Sequence, residues 1–360
     1  MDLAFLLDRF SEPAVLALGG LAVGLLFGAF AQQSRFCLRA AVVEFVDGAP
    51  GPKLAIWLLT FSAAVLGTQM LVLADQAQLS EARQIASPQS LSGAALGGLM
   101  FGAGMVLARG CASRLLVLSA TGNLRALLSG LVFAVVAQAS LRGILRPMRE
   151  WLAAGFITNE IGGNDLLVFT GASTEWAIGF ALLWLVAGLL VASRVRVTTW
   201  QAVAACLAGL VVPFAWWFTA SMAAQAFDPV QVEAVTFTGP SADTLMLVLS
   251  PPGGVLDFDV GLVPGVFLGS ALAALMAREW RIVGFHDGPS MRRYLLGAAL
   301  MGFGGMLAGG CAVGAGITGA SVFAVTAWVA LSAIWLSAGM THYLIDGRGK
   351  TAAPSTVAAE

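Results

Sequence analysis

Residues 102–112 read GAGMVLARGCA, and residues 302–312 read GFGGMLAGGCA. At an offset of 200, seven of the eleven positions are identical: Gly102/Gly302, Gly104/Gly304, Leu107/Leu307, Ala108/Ala308, Gly110/Gly310, Cys111/Cys311 and Ala112/Ala312. Each stretch closes an apolar run rich in small residues. Small residues let membrane helices approach closely, which accounts for the glycines. It does not account for two of the chain's four cysteines falling in register. A weaker copy lies upstream: Phe27-Gly28-Ala29 precedes Arg35 and Cys37 by the spacing at which Phe101-Gly102-Ala103 precedes Arg109 and Cys111.

The surrounding composition says what these runs are. Of 360 residues, 58% are hydrophobic and 11% charged, whereas a soluble domain carries about 25% charged residues. A spanning helix needs roughly 20 mostly apolar residues. Nine runs qualify, at 13–31, 54–74, 91–108, 124–141, 176–193, 200–220, 260–277, 293–309 and 322–340. Lipid offers backbone polar groups no partner, so these runs are helices. The expected fold class is an all-α polytopic membrane protein of about nine transmembrane helices, with inverted internal repeats and short re-entrant or broken helices.

The third and eighth runs carry the two strong motifs, so they cross the membrane in opposite directions. Inverted repeats place a substrate site near the midplane, at broken helices between the halves. Gly110-Cys111 and Gly310-Cys311 fall where such breaks belong. A helix end there leaves backbone N–H groups to hold an anion, and cysteine adds a weak donor and a soft, polarizable sulfur. The chain divides into an N-terminal half, 1–199, with two motifs, a C-terminal half, 200–349, with the third, and a tail, 350–360, read as disordered.

Lys and Arg set the orientation. If the loop after the first span is cytoplasmic, that side holds fourteen of them, from Arg35, Arg39 and Lys53 through Arg109, Arg114 and Arg125 to Arg348 and Lys350; the other side holds five: Arg9, Arg83, Arg142, Arg146 and Arg149. The N-terminus is therefore placed outside and the C-terminus inside. Asp2 and Asp8 outnumber Arg9 ahead of the first run, unlike the basic start of a signal peptide. Two long outer segments, 142–175 and 221–259, hold turn signals such as Gly162-Gly163-Asn164-Asp165 and Pro251-Pro252-Gly253-Gly254. They are read either as short helices folded over an entrance or as plain loops.

Other classes are disfavoured. A net charge of −1 with two lysines is unlike a nucleic-acid binder. No C-x-x-C pair occurs, and His286 and His342 lie far apart, which leaves little for a metal, a cofactor or a catalytic centre.

The run from Leu107 to Ala112, its twin from Leu307 to Ala312 and the preceding Ser34-Arg35-Phe36-Cys37 resemble the YeeE/YedE family of sulfur transport proteins, as does Phe237-Thr238-Gly239-Pro240-Ser241-Ala242-Asp243. The likeness spans about 20 to 340. It implies thiosulfate uptake across a bacterial inner membrane, with Cys37, Cys111 and Cys311 relaying the anion by S–H···S hydrogen bonds. Some relatives work with a small cytoplasmic sulfur-carrier protein. One departure stands out: three residues past the cysteine the last motif has Gly314, as in the family, and the middle one has Arg114, an added cation beside an anion path.

The remaining residues carry weaker signals. Arg35 and Arg109 are either positive-inside anchors or cations that concentrate the anion. Cys206, mid-helix between Ala205 and Leu207, is structural. Asn123 is a helix cap or a cavity residue. Glu44, Glu160, Asp165 and Glu175 are considered for proton coupling, the last three also as exposed loop carboxylates, and His286 and His342 as bland. Two rival functions stay open: a membrane thiol-redox protein, and a non-transporting subunit of a sulfur- or selenium-metabolism complex.

Overall fold

The computed structural model describes residue 5 and residues 9–251, 256–284 and 288–346. The tail 350–360, Arg348, His286, Asp2, Asp8 and the Pro252-Gly253-Gly254 turn lie outside the described residues. In chain order the first helices are α1 (Glu12–Ser34), α2 (Leu38–Val46), α3 (Pro52–Leu73), α4 (Leu91–Leu107), α5 (Ala112–Ala120) and α6 (Leu124–Leu141). Then come α7 (Arg146–Ala153), α8 (Thr174–Arg194), α9 (Thr199–Ala223), α10 (Thr238–Leu249), α11 (Phe258–Met276), α12 (Gly288–Leu307) and α13 (Val325–Ile345). Eight helical segments among the described residues are long and apolar enough to cross a membrane; two of these join α1 to α2 and α4 to α5. The eighth expected run coincides with α12, which carries Arg292 and Arg293 near its start. The protein is an all-α polytopic membrane protein.

Glycine spacing decides how the helices meet. Gly20, Gly24 and Gly28 line one face of α1, and a Cβ on any of them would strike the α11 backbone at Phe258, Leu262 or Val266. α11 answers with Gly261, Gly265 and Gly269 against Ala17, Leu21 and Leu25. The two helices run parallel, backbone on backbone. Between helices in lipid there is no hydrophobic drive, so this close van der Waals contact supplies the attraction.

The repeated motif lies in a second tight pair. α4 and α12 are antiparallel. Gly97 abuts the backbone of Gly304 and Ala308, and Gly297 abuts that of Gly104 and Ala108. Each contact is the image of the other under the 200-residue offset. The next layer repeats this: Gly102 packs on Ile334 and Ala338 of α13, and Gly302 on Phe133 and Ala137 of α6. Most of this packing joins residues before 199 to residues after 200.

Short helices fill the breaks. Ala108, at the end of α4, packs beside Gly297, and Arg125, at the start of α6, stacks 4.8 Å over the Tyr294 ring one turn away. The chain between them, including α5, thus leaves and returns at one end of α12. On the 142–175 segment lie α7, a 3-10 turn at Thr158–Ile161 and a one-turn helix at Leu166–Thr170. On the 221–259 segment lies α10.

Candidate functional site

The same local device precedes every motif cysteine. α1 ends at Arg35 and α4 at Arg109, both in the left-handed conformation (φ 54° and 56°), and Gly309 takes the same role after α12 (φ 74°). The next N–H folds back on the helix: Phe36 to Ala31 O at 3.1 Å, Gly110 to Met105 O at 3.1 Å and Gly310 to Gly305 O at 2.9 Å. This pattern satisfies carbonyls at a helix C-terminus. It also corrects one expectation. The Gly110 and Gly310 N–H groups are used to close their helices and are not free to hold an anion.

The cysteine comes one residue later and opens the next helical segment. Cys37 is the N-cap of α2 and Cys111 that of α5, both in extended backbone. Cys311 leads into a π-helical turn, Gly314–Gly319, and its Sγ accepts the Gly314 N–H at 3.3 Å. The first N–H groups of α5, at Ala112 and Ser113, have no intrahelical acceptor. They form the positive end of the α5 dipole, the place where an anion is favoured.

Two of the three thiols meet. The Cys37 and Cys111 thiols lie within electrostatic reach of each other, and both are buried, Cys111 completely. Ser113 Oγ lies 3.3 Å from the Cys111 sulfur. Arg114 is within electrostatic reach of both sulfurs, and its Nη1 is buried without a hydrogen-bond partner. Arg35, by contrast, is half-exposed and bonds Glu279 Oε1 at 2.8 Å, while Arg109 is exposed at the protein surface.

Cys311 lies elsewhere. Ala308 packs beside Gly97, eleven residues back along α4 from Ala108, which is about 16 Å at the rise of an α-helix. The third thiol thus sits at the opposite end of the α4–α12 pair. There a cavity of about 350 Å³ is lined by Arg83, Arg149, Gln89, Ser90, Thr238, the Gly305–Gly310 end of α12 and Glu150, which pairs with Arg149 at 3.6 Å. Arg149 Nε and Thr238 Oγ1 are buried without partners. Two guanidinium groups thus line a cavity that ends at Gly310, the residue before Cys311.

Other sequence candidates resolve plainly. Asn123 caps α6, accepting the Ala126 N–H at 3.1 Å. Cys206 packs against the apolar core. Glu44 accepts the Leu54 N–H at 2.8 Å, Asp165 caps the Leu166–Thr170 turn, and Glu160 and Glu175 are exposed. His342 is not bland: it is buried, with Nε2 3.1 Å from Asp47 and Nδ1 3.3 Å from Asp346, and so ties α13 to the end of α2.

Spanning helices with glycine-locked crossings, whose broken ends bury thiols beside guanidinium groups, define a membrane transporter for a small anion. The chain belongs to the sulphur transport family, whose sequence model matches residues 33–340. It is 26% identical over 366 residues to the thiosulfate transporter TsuA of Escherichia coli K12, covering 95% of this chain and 98% of that one. It is 25% identical over 335 residues to the thiosulfate transporter TsuA of Spirochaeta thermophila, covering 86% and 93%. The protein is a sulfur transporter of the membrane and not an enzyme.

Proposed function

We propose that the protein imports thiosulfate across a bacterial inner membrane, passing it between sites built on Cys311, Cys111 and Cys37. The observation that carries this reading is the buried Cys37–Cys111 thiol pair with the unpartnered Arg114 Nη1 beside it. A dianion with a terminal soft sulfur matches that set: the guanidinium takes charge, the thiols and the free α5 N–H groups take the sulfur and oxygens. The likeness to two thiosulfate transporters favours the same substrate.

In this reading the N-terminus is outside and the C-terminus cytoplasmic, and residues 1–199 and 200–349 form inverted halves, as the reciprocal Gly97–Gly304 and Gly297–Gly104 contacts suggest. The anion enters through the Arg83–Arg149 cavity at Cys311, passes the glycine-lined crossing of α4 and α12, and leaves by Cys111 and Cys37. Gly110 and Gly310 shape the turns that present the thiols, and Arg35 and Arg109 draw the anion along the inner mouth. Weak sites in series suit throughput, because each must release what it admits. A small cytoplasmic sulfur carrier is a fitting acceptor at that mouth.

The test is uptake of radiolabelled thiosulfate by cells lacking their own sulfate and thiosulfate importers. Uptake lost in Cys111→Ala and Cys311→Ala, at normal membrane levels, supports the relay. Unchanged uptake in both reduces the cysteines to packing residues, and no uptake by the unaltered protein points to another sulfur species or a non-transporting subunit. A thiol-redox role has one observation in its favour, the Cys37–Cys111 contact itself; a required disulfide between them would select it.

A further inference from the structure

Two buried carboxyls stand behind the outer cavity, and the transport reading makes no use of them. Asp259, in the first turn of α11, is 7% exposed and its Oδ1 has no partner. A Cβ on the cavity residue Gly239 would lie 3.6 Å from its Oδ2, so the carboxyl sits directly behind the cavity wall. Glu233, on the extended chain between α9 and α10, is 9% exposed. The two interact electrostatically with each other and with Arg83, which lines the cavity. Neighbouring elements add Asp257 at the start of α11 and, on α10, Asp243, which pairs with Arg142 at 3.6 Å. α9 contributes the neutral Thr219, whose hydroxyl accepts the Glu233 N–H at 3.2 Å. Glu12, at the start of α1, is already bound to the N–H groups of Phe227 and Asp228.

One guanidinium therefore stands between two claimants. With the cavity empty, Arg83 offsets the carboxylates. With an anion in the cavity, Arg83 turns its charge to the anion, and two uncompensated carboxylates behind the wall would repel it. Buried charge without a counter-charge is avoided by taking up a proton. Burial already holds the Glu233 carboxyl up at about 7, so its proton is available near neutral pH.

We infer that Glu233 and Asp259 load protons from the outer solution as the anion enters the cavity and release them inward with it, making the protein a proton–anion symporter. This rests on the thiosulfate reading above. The step moves two protons and one dianion, with no redox change. Arg83 offsets one of the two charges of the emptied pair while the cavity reopens, and the remaining charge draws the next proton in. The coupling also answers an energetic need: at about 100 mV, inside negative, each negative charge drawn inward lowers accumulation roughly fiftyfold. Two protons cancel both charges.

The test uses purified protein in liposomes, with the membrane potential clamped at zero and labelled thiosulfate outside. An inward gradient of one pH unit multiplies accumulation about tenfold per coupled proton, so about a hundredfold is expected for the unaltered protein. Glu233→Gln or Asp259→Asn is expected to reduce this to about tenfold. Exchange of labelled for unlabelled thiosulfate without a gradient persists in both variants, which shows that they fold. Accumulation by the unaltered protein that ignores the gradient, with exchange intact, overturns proton coupling and leaves the transport reading standing. No exchange at all overturns the thiosulfate reading and proton coupling together.

Discussion

The buried thiols of Cys37 and Cys111 interact electrostatically across the N-caps of two different short helices, α2 and α5. Neither helix holds its cysteine there alone. Each is placed by a left-handed turn at Arg35 or Arg109 that ends the long helix before it. Two buried thiols facing each other are joined by a disulfide on oxidation where their Cα atoms lie within about 7 Å. Oxidation by copper phenanthroline is expected to remove two of the four titratable thiols, leaving Cys206 and Cys311 free. It is also expected to stop uptake, and dithiothreitol to restore it. Four free thiols after oxidation would contradict the pairing.

Arg114 and Arg109 separate charge at the site from charge at the surface. Arg114 is partly buried with a free Nη1 beside both sulfurs. A hydrogen bond to a charged group contributes about 1.5–3 kcal/mol, so Arg114→Gln is expected to raise the KM for uptake by roughly 10- to 150-fold. Arg109 is exposed, where a charge contributes about 0–1 kcal/mol, so Arg109→Gln is expected to change it less than about fivefold. Equal effects would remove Arg114 from the site.

The reciprocal crossing of α4 and α12 makes a paired prediction. Gly97→Ala and Gly297→Ala each drive a methyl into partner backbone that has no side chain to swing away. Overpacking of this kind costs about 1–3 kcal/mol, and the two losses are expected to match. Thermal unfolding in detergent measures both. A silent variant at either position would break the reciprocity.

Glu233 gives stability a pH dependence. Its carboxyl is raised from the usual range to about 7 by burial. The folded state therefore holds a proton that the unfolded state loses at about 4.5, and stability falls as pH rises from there to about 7. At about 1.36 kcal/mol per unit, the loss reaches up to about 3 kcal/mol. Glu233→Gln is expected to flatten that limb of the denaturation profile. An unchanged slope would mean that the carboxyl is solvated in the folded protein.

The spanning helices are legible because lipid imposes a length and an apolar composition that show in sequence. The turns before Cys37, Cys111 and Cys311 are legible through their spacing, and Arg114 stands out as a charge where the other motif has Gly314. Pairing across the chain is not legible. No local pattern says that Cys37 meets Cys111 while Cys311 stands at the far end, since that depends on how the helix pairs cross. The engaged N–H groups of Gly110 and Gly310 escape a sequence reading because a Gly-Cys step looks the same whether its amide is free or folded back on the helix. Glu233 and Asp259 escape it because each lies beside a run that reads as membrane or loop. The available signal is a carboxylate set among β-branched and apolar neighbours in Val230–Phe237 and Phe258–Leu262.

The glycine contacts between α4 and α12, and between α1 and α11, join early helices to late ones at backbone distance. A molecule stitched this way has no plane of cleavage. Rocking one half of the chain against the other would have to unzip both seams at once, so the scaffold behaves as a fixed frame. What the frame leaves outside its seams are the left-handed turns at 35–37, 109–111 and 309–311, each of which carries one of the thiols.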